Sequence, residues 1–416
     1  MRHGWLSRSV LPAIGGLFVS AVLVAGYSSA EAATTYAPLD QPGPALTPTP
    51  AELEASLTCT DSVDDATTDV VLLSPGTATT STESFGWNWE PALDQLDIPW
   101  CAMDLPGQAL GPIDVAAQYI VHAIRTVSAR SGRKVDILGW SQGGMSVRWS
   151  LRFWPDTRVL VDEVIGFAPS NHGSDRATTS DCQQLGCRPA VYQQAADSEF
   201  IQALNSRTET FAGISYTNIY SRFDELATPA TDADHCTSCL TTGEGDIANI
   251  QTQELCPLDV SDHVMIGISP ATYALVVDAL THDGPAVLSR TSTAGCTSLL
   301  MPGVTDPASA NAVVPSLQAA VGTLAIAPGP LPNPVVSEPV VYTEPTVPCY
   351  AYATCEPDAP EVKTASAEPA QLATAADDDV DEAETADDGG TDTAGATPRL
   401  AGILGTATNG LLGQHH

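Results

Sequence analysis

The chain has almost no lysine: only Lys134 and Lys363 occur in 416 residues, and Lys and Arg together number 16 against 50 Asp and Glu. The resulting net charge of −34 argues against nucleic acid or an anionic lipid surface as partner. It also lacks a second long apolar run. The only one, Val10 to Gly26, follows Met1-Arg2-His3-Gly4-Trp5-Leu6-Ser7-Arg8 and is broken by Pro12 and Gly15-Gly16. Small residues and the A-x-A site Ala30-Glu31-Ala32 come next, which reads as a secretory signal peptide cleaved after Ala32 or Ala33. Stable membrane insertion is therefore not expected. No internal repeat is visible.

Ten cysteines, an even number, suit the oxidising compartment such a leader implies. Length allows one large domain and a tail. The expected division is a signal peptide over 1–32, a Pro/Thr/Ala-rich lead-in over 33–50, a catalytic body over 51–328 and a tail over 329–416. The tail is Pro-rich at first. From Glu356 to Asp392 it is acidic, Ala/Thr-rich and poor in large apolar residues, so it reads as disordered. The apolar patch Leu400 to Leu412 is too short to span a bilayer.

Within the body, one stretch carries chemistry. Gly139-Trp140-Ser141-Gln142-Gly143 follows the β-prone Val135-Asp136-Ile137-Leu138 and precedes a helix start at Met145 to Leu151. Strand, G-x-S-x-G, helix is a nucleophile elbow, in which a serine stands on a sharp turn clear of the backbone. Val70 to Ser74 and Thr217 to Ser221 read as further strands, as does the run Val161 to Pro169. Val115 to Val127 is periodic and reads as an amphipathic helix. Strands alternating with helices predict a mostly parallel central sheet with helices on both faces, the α/β-hydrolase fold.

A serine nucleophile needs a base, and the base an orienting carboxylate, in the order Ser, Asp/Glu, His. Of eight histidines, His263 in Val260-Ser261-Asp262-His263-Val264 is placed to follow both. Asp224 directly follows a predicted strand and is the preferred acid, with Glu225 and Asp262 as rivals. Oxyanion donors are expected from the Gln142 backbone N–H and from the Pro75-Gly76-Thr77 turn, where Thr77 adds a hydroxyl. Trp140 and Leu226 are candidate pocket walls. So are Val313 and Leu317 on a predicted helix from Ser309 to Ile326, where core packing is the competing role.

These residues together resemble the Candida antarctica lipase B-like family of secreted α/β-hydrolase lipases and its bacterial relatives. The carrying stretches are Leu72 to Thr80, Ser84-Phe85-Gly86-Trp87-Asn88-Trp89, Trp140 to Gly144, Phe167-Ala168-Pro169, Asn218 to Ser221 with Asp224-Glu225, and Asp262-His263. The match in order and spacing covers about residues 50–300. It implies a triacylglycerol lipase or carboxylesterase with triad Ser141, Asp224 and His263, an oxyanion hole from Thr77 and Gln142, and Trp140 on the alcohol side. It implies a monomer acting on an acylglycerol or other fatty-acyl ester, with no metal or cofactor. The disulfides it implies are Cys59–Cys101, Cys256–Cys296 and Cys349–Cys355.

The sequence departs from that family in places. Ser170-Asn171-His172-Gly173 replaces a stretch with an acidic residue, and the segment Gly173 to Ala190, placed to cover the site, is polar. Cys182, Cys187, Cys236 and Cys239 are extra. They predict two disulfides, either local or linking the covering segment to the one after Asp224, with a zinc set beside His235 as the alternative. Two other functions fit the sequence: a cell-envelope acyltransferase using the same triad, and a non-catalytic exported surface protein.

Overall fold

The computed structural model describes residues 35–177, 180–230, 236–306 and 338–355, together with 308, 310, 313–315 and 318. Its centre is a seven-stranded sheet in the order β1-β3-β2-β4-β5-β6-β7. The strands are β1 (Leu57–Cys59), β2 (Val70–Ser74), β3 (Trp100–Met103), β4 (Val135–Trp140), β5 (Val161–Phe167), β6 (Ser215–Tyr220) and β7 (Asp246–Gln251). Only the β1–β3 pair is antiparallel.

The central strands β2, β4 and β5 are rich in Val, Ile and Leu and buried over almost their whole length because both faces are covered. Val71, Leu73, Leu138, Ile165 and Phe167 face Phe85, Trp89 and the helix Pro270–Thr281. Their neighbours Val70, Leu72, Val135, Ile137 and Val164 face the opposite way, against the helices Ile113–Ser131 and Gln142–Phe153. Trp89 fixes the first layer further, since its ring lies between Phe167 and Tyr273 and its indole N–H donates to Gly267 O.

The body is wider than residues 51–328. Residues 35–50, expected as a loose lead-in, pack on the helix Gln142–Phe153: the Arg152 guanidinium donates to Ala37 O and the Trp154 indole to Pro44 O. Residues 338–355, expected within the tail, return to the same place. Tyr36 pairs with Tyr352, Ala37 N–H donates to Ala351 O, and the Tyr350 hydroxyl accepts from the Trp149 indole. Aromatic stacking draws them in, since Tyr350 lies edge-on to Trp149, Phe153 and Trp154. The acidic stretch beyond residue 355 and the leader lie outside the described residues.

All ten cysteines pair. Cys59–Cys101 joins register partners on β1 and β3, and Cys256–Cys296 and Cys349–Cys355 also form. The four extra cysteines close two local loops, Cys182–Cys187 and Cys236–Cys239. The zinc alternative loses its thiolates to these bonds, and His235 lies outside the described residues. Among the described residues no helix is long and apolar enough to cross a membrane.

Candidate active site

Ser141 follows β4 and caps the helix Gln142–Phe153 at φ 54° and ψ −124°, a conformation that strains any residue with a side chain. The turn is possible because its neighbours are glycines. A Cβ on Gly143 would stand 2.1 Å from Ser74 O, and one on Gly139 2.5 Å from Gly144 N. The turn is pinned by Ser141 N–H donating to Phe167 O at 3.0 Å and Gly144 N–H to Ser141 O at 3.1 Å.

The structure brings Ser141, His263 and Asp224 together. His263 Nε2 lies 2.9 Å from Ser141 Oγ, and Nδ1 lies 2.9 and 3.0 Å from the Asp224 carboxylate oxygens. All three residues are buried. Asp224 Oδ1 also accepts from the N–H groups of Leu226 and Ala227, which fixes the carboxylate edge-on to the ring. The two rivals are occupied differently. Glu225 accepts from the His263 backbone N–H, and Asp262 accepts from Val264 and Met265 N–H and from the Gln318 amide.

Burial alone would raise the Asp224 pKa. The charge of His263 and its ring hydrogen bond, with the two backbone N–H groups, outweigh that and hold it below the usual value. At His263 burial opposes the charged ring. The Asp224 charge and hydrogen bond, with Glu225 and Asp262 nearby, outweigh burial and raise the pKa above its ordinary 6.5. Such a ring takes a proton from the serine hydroxyl and is stabilised once charged, which is what acyl transfer requires.

Thr77 lies beside this group, and its hydroxyl donates to Gln142 Oε1 at 2.6 Å. Gln194 Nε2 donates to both Thr77 Oγ1 and Gln142 Oε1, and Ser170 Oγ donates to Gln194 Oε1. The Gln142 backbone N–H belongs to the helix's first turn and needs no intrahelical acceptor, so it is available to an oxyanion.

Ser141, His263, Thr77, Trp140 and Leu226 line one cleft enclosing a cavity of about 90 Å³. Val313 does not reach it. This side chain packs against the core cluster on the Trp140 side of the sheet, which is the competing role, and Leu317 lies outside the described residues. Sequence reasoning missed Gln194, Ser174, Arg176, Ala177 and Val191 on the cleft wall. Ser174, Arg176 and Ala177 lie on the segment expected to cover the site, and Val191 and Gln194 just past its end, but nothing in the sequence singled out these side chains.

No protein-family model matches the chain. The lipase B of Pseudozyma antarctica is 32% identical over 313 residues, 74% of this chain and 86% of that protein. The crystal structure of Aspergillus fumigatus lipase B superposes with a TM-score of 0.64 at 28% identity, covering 74% of this chain and 73% of that one. The chain belongs to the lipase B family, with the α/β-hydrolase fold, and is an ester hydrolase of the lipase and carboxylesterase class.

Proposed function

We propose that the chain is an exported serine lipase or carboxylesterase that works through an acyl-enzyme on Ser141. The observation that carries this reading is the continuous hydrogen-bond path from Ser141 Oγ through both nitrogens of His263 to Asp224. Neutral His263 takes the hydroxyl proton as Oγ attacks the ester carbonyl. The carbonyl oxygen becomes an oxyanion held by the Gln142 N–H and by the Thr77 hydroxyl, which turns from Gln142 Oε1 to reach it. His263 then protonates the leaving alcohol, water attacks the acyl-enzyme by the same base, and the carboxylic acid leaves. Trp140 and Leu226 form cleft walls, and the chain's own residues complete the reaction without a cofactor.

Export is supported by the leader-like first 32 residues and by the five cysteine pairs. A monomer suffices, because every group the mechanism uses comes from one chain. The test is intact mass after treatment with a fluorophosphonate, beside Ser141→Ala. A single adduct on the parent and none on the variant is expected. A folded parent that takes no adduct would overturn the serine reading.

A further inference from the structure

We propose that Arg176 is a specificity residue that selects esters carrying an anionic group on one arm. This rests on the serine hydrolase reading above and names the substrate class of the same cleft. Arg176 lines the cavity that holds Ser141 and His263. Its place there is fixed by the backbone: Arg176 N–H donates to Ser174 Oγ at 3.0 Å, and that hydroxyl donates to Leu226 O, on the segment after Asp224. Asp175 N–H donates to Thr228 O on the same segment. The loop is therefore tied to the triad's own acid loop.

Among the described residues the Arg176 guanidinium has no hydrogen-bond or ion-pair partner, whereas Arg148, Arg152, Arg158 and Arg207 spend theirs on carbonyls. Arg125, Arg130, Arg133, Lys134 and Arg290 each pair with an aspartate, as a chain with three acids for each base allows. Among the described residues no carboxylate lies within 4.0 Å of Arg176, although Asp175 is next to it in the chain. Asp175 instead accepts from the Thr228 hydroxyl. A planar cationic fork facing a cleft binds carboxylate or phosphate in preference to a neutral end. The rest of the lining is mostly apolar, with Trp140, Ala177, Val191, Leu226 and Ala227, so it takes the neutral part of the ester and leaves Arg176 for the anionic end. Since the rest of the protein is so acidic, the preference is local to this position. It does not extend to anionic membranes, which meet the whole negative surface.

The experiment compares kcat/KM on two matched ester pairs. One pair places the charge on the acyl arm: para-nitrophenyl hydrogen octanedioate against para-nitrophenyl octanoate. The other places it on the alcohol arm: the butyrate esters of para-hydroxybenzoate and para-hydroxybenzamide. Taking the anionic-to-neutral ratio in each pair cancels any general loss of folded enzyme. For at least one pair, Arg176→Leu is expected to lower the ratio about fivefold, the scale of a solvent-facing ion pair. The change should fall in KM, because the contact is made equally by bound substrate and transition state. Arg176→Lys should keep most of the ratio, and Arg176→Glu should lower it further. A ratio unmoved by Arg176→Leu in both pairs overturns the proposal. Loss of neutral-ester turnover in Ser141→Ala is a separate check on the serine reading, so failure of one is not mistaken for failure of the other.

Discussion

Asp224, Glu225 and Asp262 all lie close to His263, and Asp224 alone among them touches its ring. Chain order could not choose between them, because each sits within a residue or two of the right place. Burial and the two backbone N–H groups on Asp224 make the choice. Asp224→Asn is therefore expected to lower kcat/KM about 10,000-fold, since an amide oxygen cannot stabilise the imidazolium as a carboxylate does. Asp262→Asn keeps the oxygen that caps Val264 and Met265 and should cost no more than about threefold. The pH profile gives a second reading. The base must be neutral, so activity rises with pH through the His263 pKa, and the raised value places that acidic limb above pH 6.5. In Asp224→Asn the largest influence raising the pKa is gone, only Glu225 and Asp262 still oppose burial, and the limb should move to lower pH. A profile of para-nitrophenyl ester hydrolysis from pH 5 to 9 checks both. Ser141 was legible because the elbow's demands are local in sequence. Arg176 and Gln194 were not legible one by one: the segment Gly173 to Ala190 was expected over the site, but without periodicity it does not tell which side chains there or just beyond it face the cleft.

At the scale of elements, legibility followed burial. β2, β4, β5 and β6 lie inside the sheet; the apolar content of the first three announced them, and β6 showed through its β-prone Thr217 to Tyr220. β1 and β7 are edge strands, and β3, which pairs with β1, is only four residues long. β7 is polar and partly exposed, so Asp246 to Gln251 carries little hydrophobic signal. What holds the elbow between these elements is the absence of side chains. Gly143 lies against the carbonyls of Ser74 and Pro75, backbone groups that cannot yield as a flexible side chain can. A Cβ on Gly144 would stand 3.0 Å from Pro169 Cβ, a contact relieved by a few tenths of an ångström. Gly143→Ala should thus force the helix Gln142–Phe153 away from β2, costing about 3 kcal/mol and most of the activity, whereas Gly144→Ala should cost clearly less. Thermal melts of the two variants beside the parent decide it. Equal melting temperatures would mean the elbow is looser than this packing implies.

For the molecule as a whole, the sequence placed the end of the body too early, at residue 328. The reason is physical. Residues 338–355 are rich in Pro and have no helical or strand period, so they read as tail. Their partners are tryptophans more than 180 residues away, a pairing no local window contains. Once folded, this segment is a strap. Val341 exchanges backbone hydrogen bonds with Cys187, and the Glu344 carboxylate accepts from the first N–H groups of the helix Glu199–Leu204. Tyr350 is partly buried against Trp149 and Trp154. The strap thereby supports Cys187 to Gln194, the stretch that supplies Val191 and Gln194 to the cleft. Two truncations separate strap from tail. A chain ending at residue 359 keeps every contact named here, and should match the parent in melting temperature within about 2 °C and in esterase kcat/KM. A chain ending at residue 337 strips Tyr350 from three aromatic rings, removes the buried Val347 and Ala351, and should lose more than about 4 kcal/mol, the scale of deleting a large core side chain. If the shorter chain melts with the parent, the strap is not part of the folded body. If the longer one already loses stability, residues beyond 359 contribute to the body.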